Sequence, residues 1–173
     1  MNLGVLTPET RYDDSEDVTL NGTSWMTINF EHSYSGVITV REAIRRSVNT
    51  VAAQIIDQIS PWTSYEFLTK TLEMDLDPND ASYAPMSLGE LTYGATVREA
   101  AGAYSIFPNA GVFTGTRLYT YVLDSNDNIV LAKDRKMTPA LSDTVAYWMI
   151  DIMKGSAAYG TDYYPYLNGI PFA

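Results

Sequence analysis

Ser47 and Asn49 are the residues of this sequence whose types and spacing best fit proton-transfer chemistry on a peptide. They interrupt a helical stretch, residues 41–56, that reads REAIRRSVNTVAAQII. Both have poor helix propensity, because their polar side chains compete for backbone hydrogen bonds. A hydroxyl and a carboxamide held between two helix ends can relay a proton and hydrogen-bond a peptide-like carbonyl. A purely structural interpretation fits the spacing too, with Asn49 capping a second helix over 50–59.

The other polar motifs are explained without chemistry. His32 is the single histidine, and the Gly-x-Ser-x-Gly motif is absent from the sequence, so a Ser-His-Asp triad is not indicated. The acidic stretch 75–80, DLDPND, begins like a calcium loop. However, Asp80 takes the sixth position, where glycine is needed, and Met86 takes the twelfth, where glutamate belongs. A phosphate-binding loop with its lysine is also missing. We therefore expect no metal ion and no cofactor.

Charge and composition exclude several kinds of partner. The net charge is −10 over 173 residues, whereas nucleic-acid binding needs clustered Lys and Arg. The sequence contains no apolar run of about 18 residues and no signal peptide. We thus expect no nucleic-acid partner, no membrane segment in this chain and a soluble chain. Cysteine is absent, which removes disulfides, thiolate zinc sites and thiol nucleophiles.

The residue pattern divides the chain into five segments. We predict an irregular lead-in over 1–38, a helical part over 39–110 that carries Ser47 and Asn49, a β-hairpin over 115–133, a helix over 140–156 and a tail over 157–173. Turn-rich clusters separate these segments. A change from helical period to strand-like runs marks the hairpin.

Three helix starts are indicated by local capping signals. Thr39 and Thr96 each begin a Thr-Val-Arg-Glu capping box. Ser60 precedes Pro61, which is the usual order of a cap and a first helical residue. An apolar stripe of helical period runs from Val40 to Ile59, past the Ser-Val-Asn point.

Four longer stretches extend the pattern around Ser47. They are GVLTPETRYDD (4–14), YSGVITVREAIRRSVNTVAAQI (34–55), MSLGELTYGATVREAAGAYSIFPNAGVF (86–113) and ALSDTVAYWMIDIMKGSAAYGT (140–161). In this order they resemble the transpeptidase domain of class A penicillin-binding proteins, and cover nearly the whole chain. The Ser-x-Asn motif of that family falls on Ser47-Val48-Asn49.

Two other motifs of that family do not occur in this chain. No serine is followed three positions later by lysine, so the Ser-x-x-Lys nucleophile is missing. Lys154-Gly155-Ser156 is not the Lys-Thr-Gly motif, and it falls at a predicted helix end rather than on a strand. The chain begins just after the place of the family's nucleophile helix and ends, at GIPFA, just before that of the Lys-Thr-Gly strand. We interpret residues 1–173 as a partial transpeptidase domain between these motifs.

The resemblance implies a mostly helical α+β fold, the central helical part of a penicillin-binding-protein or serine β-lactamase-like transpeptidase domain with a β-hairpin. The parent protein would cross-link peptidoglycan stem peptides at a D-Ala-D-Ala bond by acyl-serine transfer, and β-lactams would acylate it. Ser47 would pass a proton to the leaving amine, and Asn49 would hydrogen-bond the substrate's peptide amide. The parent would be anchored at the extracytoplasmic face of the bacterial cell membrane. This chain alone should be inactive, because nucleophile and base act as a unit.

Two other interpretations stay open. The chain could be a non-catalytic module of the cell envelope that kept the family's shape. It could also be an unrelated soluble α+β binding domain, in which 40–46 and 50–59 would form one unbroken helix with Ser47 in a core. If the domain is partial, the tail YYPYLNGIPFA and the stripe from Val40 to Ile59 are apolar enough to seek a partner. We expect a homodimer through surfaces that the rest of the domain would cover.

Overall fold

Helices make up most of the regular structure. The computed structural model of the chain describes residues 1–26 and 28–159. Its α-helices are Val40–Arg46 (α1), Asn49–Ile59 (α2), Pro61–Glu66 (α3), Tyr83–Leu88 (α4), Val97–Tyr104 (α5) and Asp143–Tyr159 (α6). A π-helical turn, Phe67–Thr71, continues α3, and a 3-10 turn forms at Pro78–Asp80. The predicted mostly helical α+β class is confirmed.

Short strands pair into antiparallel ribbons of two. The pairs are Arg11–Asp14 (β1) with Gly36–Thr39 (β4), Asp17–Leu20 (β2) with Thr23–Met26 (β3), Val112–Phe113 (β5) with Thr138–Pro139 (β8), and Tyr121–Leu123 (β6) with Ile129–Ala132 (β7). The β6–β7 hairpin lies inside the range 115–133. Asp124 holds its turn by accepting N–H bonds from Asn126 (2.7 Å) and Asn128 (2.9 Å).

The lead-in over 1–38 is not irregular, and this part of the prediction is wrong. It contains β1, β2, β3 and most of β4. In β1 and β2 every second residue is buried, as in strands with one covered face. The sequence hides this because each strand has only four residues and one inward position of β1 is the carboxylate Asp14. In β1 the inward carboxylate breaks the apolar period, and in β2 the alternation of Val18 and Leu20 spans only four residues, the shortest run that can indicate a strand.

The helix starts follow their local signals, with one difference. Ser60 accepts the N–H of Thr63 (3.2 Å) ahead of α3. The capping box of Thr96 and Glu99 is complete at α5. At α1, Thr39 caps the helix but Glu42 does not reach back to it, because the Glu42 carboxylate accepts from Arg45 Nε (2.8 Å).

Helix α2 lies at the centre of the described fold. It packs against β1, β2, α3 and α4. The Val40–Ile59 stripe contributes Val40, Val48 and Val51 to an apolar cluster with Leu6 and Tyr12. Burying each such side chain contributes about 1.5–3 kcal/mol. At these three valines the stripe is core, so the expected partner surface is wrong there. The other expected surface, the tail 163–173, lies outside the described residues.

Helix α6 closes the fold against α1. Its start is held by Ser142, whose Oγ accepts the N–H of Val145 (3.3 Å). Across the contact, Arg41 of α1 donates to Asp151 (2.7 Å), and Arg45 donates to the carbonyl of Tyr159 (2.8 Å). Compared with the predicted helix over 140–156, α6 begins later, at Asp143, and extends further, to Tyr159.

Over residues 1–26 and 28–159, we find no helix with the length and apolar character needed to cross a membrane.

Candidate active site

Ser47 ends α1 in the left-handed backbone conformation, with φ 55° and ψ 50°. The N–H of Ser47 donates to Ile44 O (3.2 Å), and the N–H of Val48 donates to Ala43 O (2.9 Å). This pair of bonds is a Schellman motif, in which glycine is the usual left-handed residue. A side chain in that conformation costs about 1–2 kcal/mol. A hydroxyl therefore occupies a position where glycine would be less strained, which is typical of functional sites.

Helix α2 starts without a cap of its own. Its N-cap position is Val48, which offers no side-chain acceptor, and Asn49 is the first helical residue. The interpretation of Asn49 as a cap of helix 50–59 is therefore wrong. The cap is supplied by Asn29, whose Oδ1 accepts N–H bonds from Asn49 (3.0 Å) and Thr50 (3.4 Å). These bonds satisfy donors that a helix start otherwise leaves open.

The carboxamide of Asn49 is held by a backbone carbonyl. Its Nδ2 donates to Ile28 O (2.8 Å). Because an amide has two N–H donors and one acceptor oxygen, this bond fixes the amide plane and leaves Oδ1 and one N–H to a ligand. Ser47 is exposed and Asn49 is partly exposed. The alternative of an unbroken helix with Ser47 in a core is therefore wrong.

Two hollows border the Ser-x-Asn motif. One has a volume of about 410 Å³ and is walled by the loop around Asn29 and by Glu31 and Arg46. The other also has about 410 Å³ and is walled by apolar side chains of α1, α2 and α4, among them Ile44 and Met86. Ser47, Val48 and Asn49 belong to both walls. The motif thus offers its polar groups to open space.

A buried polar network lies beneath the motif, and the sequence analysis missed it. Asp14 Oδ1 accepts from Asn29 Nδ2 (2.7 Å) and from Thr50 Oγ1 (2.7 Å). Asp14 Oδ2 accepts from the backbone N–H of Ser35 (2.9 Å). The sequence signals were the positions of Asp14 at the end of the first family-like stretch and of Thr50 next to Asn49 in the second, and Asn29 carried none.

The charged groups around the motif are mixed. Arg46, the last residue of α1, donates to Ser35 Oγ (2.8 Å) and to Glu31 Oε2 (3.4 Å). Near the network, partial burial raises the pKa of the Tyr34 hydroxyl above its ordinary value, and the carboxylate of Glu16 adds to the rise. Arg46 thus places a cation next to the Glu31 carboxylate in the wall of the first hollow.

The other candidate residues lie elsewhere in the fold. His32 is exposed in a loop, and its backbone N–H donates to Asn29 O (2.9 Å). Asp80 is buried and accepts from the Thr92 hydroxyl (2.7 Å), which lowers the pKa of its carboxyl group. It therefore anchors a loop. In the described part of the chain, no group of three or more His, Cys, Asp or Glu could hold a metal ion.

Comparison with known proteins identifies the family of the chain. No family model matches the sequence. Penicillin-binding protein 1A of Clostridium novyi is 37% identical over 157 residues, which cover 88% of this chain and 18% of that protein. The chain belongs to the penicillin-binding protein family. Penicillin-binding protein 1A of Clostridium acetobutylicum is 31% identical over 163 residues, 93% of this chain and 20% of its own length. The chain spans about a fifth of the length of these relatives.

Solved structures of penicillin-binding proteins share the fold. The D,D-transpeptidase domain of a peptidoglycan glycosyltransferase from Eggerthella lenta matches with a TM-score of 0.71 and 18% identity, over 92% of this chain and 45% of that one. Penicillin-binding protein 1A from Haemophilus influenzae matches with a TM-score of 0.70 and 16% identity, over 91% of this chain and 28% of that one. The chain thus has the fold of part of a penicillin-binding-protein transpeptidase domain, as the resemblance implied.

Proposed function

We propose that this chain forms the Ser-x-Asn side of the acylation cleft of a peptidoglycan D,D-transpeptidase. One observation carries the proposal. An exposed hydroxyl in the left-handed conformation and a carboxamide with a fixed plane, two positions apart, line the same hollows at a helix junction. Membership of the penicillin-binding protein family supports it.

The proposed chemistry is transfer of an acyl group from a D-Ala-D-Ala stem peptide. A nucleophilic serine, supplied outside this chain, attacks the carbonyl carbon, and the bond from that carbon to the amine nitrogen breaks. The proton of the nucleophile passes through the Ser47 hydroxyl to the departing amine. Asn49 accepts the substrate's peptide N–H through Oδ1, so that the scissile bond is held in line. β-Lactams imitate this substrate and acylate the same serine.

The setting follows from this chemistry. The partners are peptidoglycan stem peptides and β-lactams, and the site of action is the extracytoplasmic face of the bacterial membrane, where the parent protein is anchored. The chain alone should be inactive, since it contains neither Ser-x-x-Lys nor Lys-Thr-Gly. Removing such a unit abolishes nearly all the rate enhancement.

Labelling with a fluorescent penicillin, followed by a denaturing gel, tests the proposal in two proteins. The first is this chain, for which we expect no labelled band. The second, here named the host enzyme, is Clostridium novyi penicillin-binding protein 1A with its matching segment replaced by this chain. We expect the host enzyme to be labelled, and Ser47→Ala and Asn49→Ala to slow labelling about 100-fold or more.

Ser60→Ala is the matched control, because Ser60 is a second positive-φ serine at a helix junction, at φ 69°. Its labelling rate should stay within a factor of about two. A labelled band for this chain alone would contradict its predicted inactivity. A folded host enzyme that takes no label would favour the non-catalytic module, and unchanged labelling of Ser47→Ala would refute the proposed role.

A further inference from the structure

We infer that Asp14, Asn29 and Thr50 are positioning residues for the Ser-x-Asn motif, acting through the backbone and the side chain of Asn49. This inference rests on the proposed function, because positioning Asn49 affects a reaction only if Asn49 binds the substrate. The three residues act through Asn49 and need not contact the substrate themselves. It adds three residues from three separate elements to the site: one from β1, one from the loop before β4 and one from the first turn of α2.

Asp14 is the centre of the network. Its side chain is 1% exposed, yet it carries a carboxylate rather than an apolar group. Both oxygens are used: Oδ1 binds Asn29 and Thr50, each at 2.7 Å, and Oδ2 binds the Ser35 N–H at 2.9 Å. Burying a carboxylate is costly unless it is fully hydrogen-bonded. Through these bonds Asp14 joins β1 to the loop before β4 and to α2.

Asn29 transmits that position to the motif. Its Nδ2 is held by Asp14 and by the Ser33 carbonyl (3.0 Å). Its Oδ1 consequently points at the first turn of α2, where it accepts from Asn49 and Thr50. Asn29 thus caps a helix from a distant loop, and its amide orientation is set by a buried charge.

Asn49 is bound twice to this one loop. Its backbone N–H donates to Asn29 and its side-chain Nδ2 donates to Ile28 O. The direction of the Asn49 carboxamide therefore depends on where residues 28 and 29 lie, and these depend on Asp14. Misplacing a substrate-binding group by about 1 Å can reduce a reaction rate about 100-fold.

The chain itself supplies the first test. In Asn29→Ala, the N–H groups of Asn49 and Thr50 lose their acceptor and should exchange with solvent at least about tenfold faster, while amides of α5 and α6 exchange as before. Unchanged exchange at both amides would overturn the cap on which the inference depends. This measurement needs no nucleophile, so it is independent of the proposed function.

The host enzyme supplies the second test, which separates positioning from stability. Thr50→Val keeps the shape of the side chain but removes the donor to Asp14, whereas Thr50→Ser keeps the donor. We expect Thr50→Val to lower the first-order acylation rate at saturating penicillin by about 10- to 100-fold, with little change in the half-saturating concentration. Thr50→Ser should restore the rate to within about threefold.

A matched control and a second variant keep the outcome decisive. Thr69→Val removes a threonine hydroxyl bond that is partly buried, to Tyr65 O at 2.8 Å, and should leave acylation unchanged. If Thr50→Val fails to fold, Asn29→Ala in the host enzyme takes its place with the same expected loss. If Ser47→Ala acylates slowly while Thr50→Val and Asn29→Ala acylate at the wild-type rate, the inference is overturned but the proposed function is not. An unaffected Ser47→Ala would overturn the proposed function instead.

Discussion

Ser47 and Asn49 are fixed by two unrelated sets of hydrogen bonds, although only one residue separates them. Ser47 is held by the closing turn of α1, through its own N–H and that of Val48. Asn49 is held by the loop at residues 28 and 29, through its N–H (3.0 Å) and its carboxamide (2.8 Å). The hydroxyl and the carboxamide can therefore be perturbed separately, which makes their roles distinguishable by mutation.

Ser47→Gly should raise the stability of the chain. Glycine adopts the left-handed conformation without the clash that serine has there. The net gain is about 1 kcal/mol, because the greater backbone entropy of glycine in the unfolded chain offsets part of the relieved strain. Ser47→Ala keeps the clash and should not be stabilised. Urea unfolding of the three proteins measures the difference. In the host enzyme both variants should acylate equally slowly, because both lack the hydroxyl, and a glycine variant less stable than the alanine variant would contradict this account.

The parts of the fold that the sequence predicted are those governed by near neighbours. The caps at Thr39, Ser60 and Thr96 depend on residues within one helical turn, so their signals are local. The ribbon of β1 and β4 joins residues 22 to 28 positions apart, from Asp14 with Gly36 to Arg11 with Thr39. With four residues in each strand, no local pattern predicts that pairing.

The site divides in the same way. Ser47 and Asn49 could be proposed because the polar interruption of a helix is visible in the sequence and because the stretch around it, 34–55, resembles a known family. Asp14, Asn29 and Thr50 could not, because they meet across 15 and 36 positions of the chain. A buried carboxylate in a short strand resembles a loop residue until its partners are known.

Glu99 should make stability depend on pH in the acid range. Hydrogen bonds from the Thr96 hydroxyl, the Asp75 N–H and the Thr96 N–H lower the pKa of Glu99 from its usual 4.5 to about 2. Because the native state favours the carboxylate, this contribution is full above pH 4.5 and is lost as pH falls toward 2. Urea unfolding of Glu99→Gln should show a deficit of about 1 kcal/mol at pH 7, the usual size of a cap at an exposed helix end.

The deficit of Glu99→Gln should shrink as both proteins are acidified through this range. Glu90→Gln is the control, since Glu90 is exposed whereas Glu99 is partly buried, and its stability should follow that of the parent chain within about 0.5 kcal/mol. A constant deficit at all pH values would mean that the loss comes from geometry rather than from the charge of Glu99.

The β6–β7 hairpin should tolerate polar substitution. The residues of both strands are all exposed, and Leu131 is 54% exposed. Leu131→Lys should change the free energy of unfolding by no more than about 0.5 kcal/mol. Val51→Ala, at a position that is 0% exposed in the core of α2, should cost about 1–3 kcal/mol. Thermal unfolding of both variants checks this contrast, and a large loss in Leu131→Lys would mean that the hairpin packs against something in solution.

Gly111 should be the glycine least tolerant of substitution among those described with positive φ. At φ 82° it lies in the left-handed region, and an added Cβ would overlap the carbonyl oxygen of Leu141. Its own carbonyl accepts from Ala140 (2.9 Å) and Leu141 (2.9 Å), so neither backbone can move away. Gly111→Ala should therefore cost roughly 2–5 kcal/mol, the sum of left-handed strain and a backbone clash. Gly94→Ala, at φ 72° with open space around its Cβ, should cost only about 1–2 kcal/mol. Equal losses in urea unfolding would show that the Leu141 contact is not rigid.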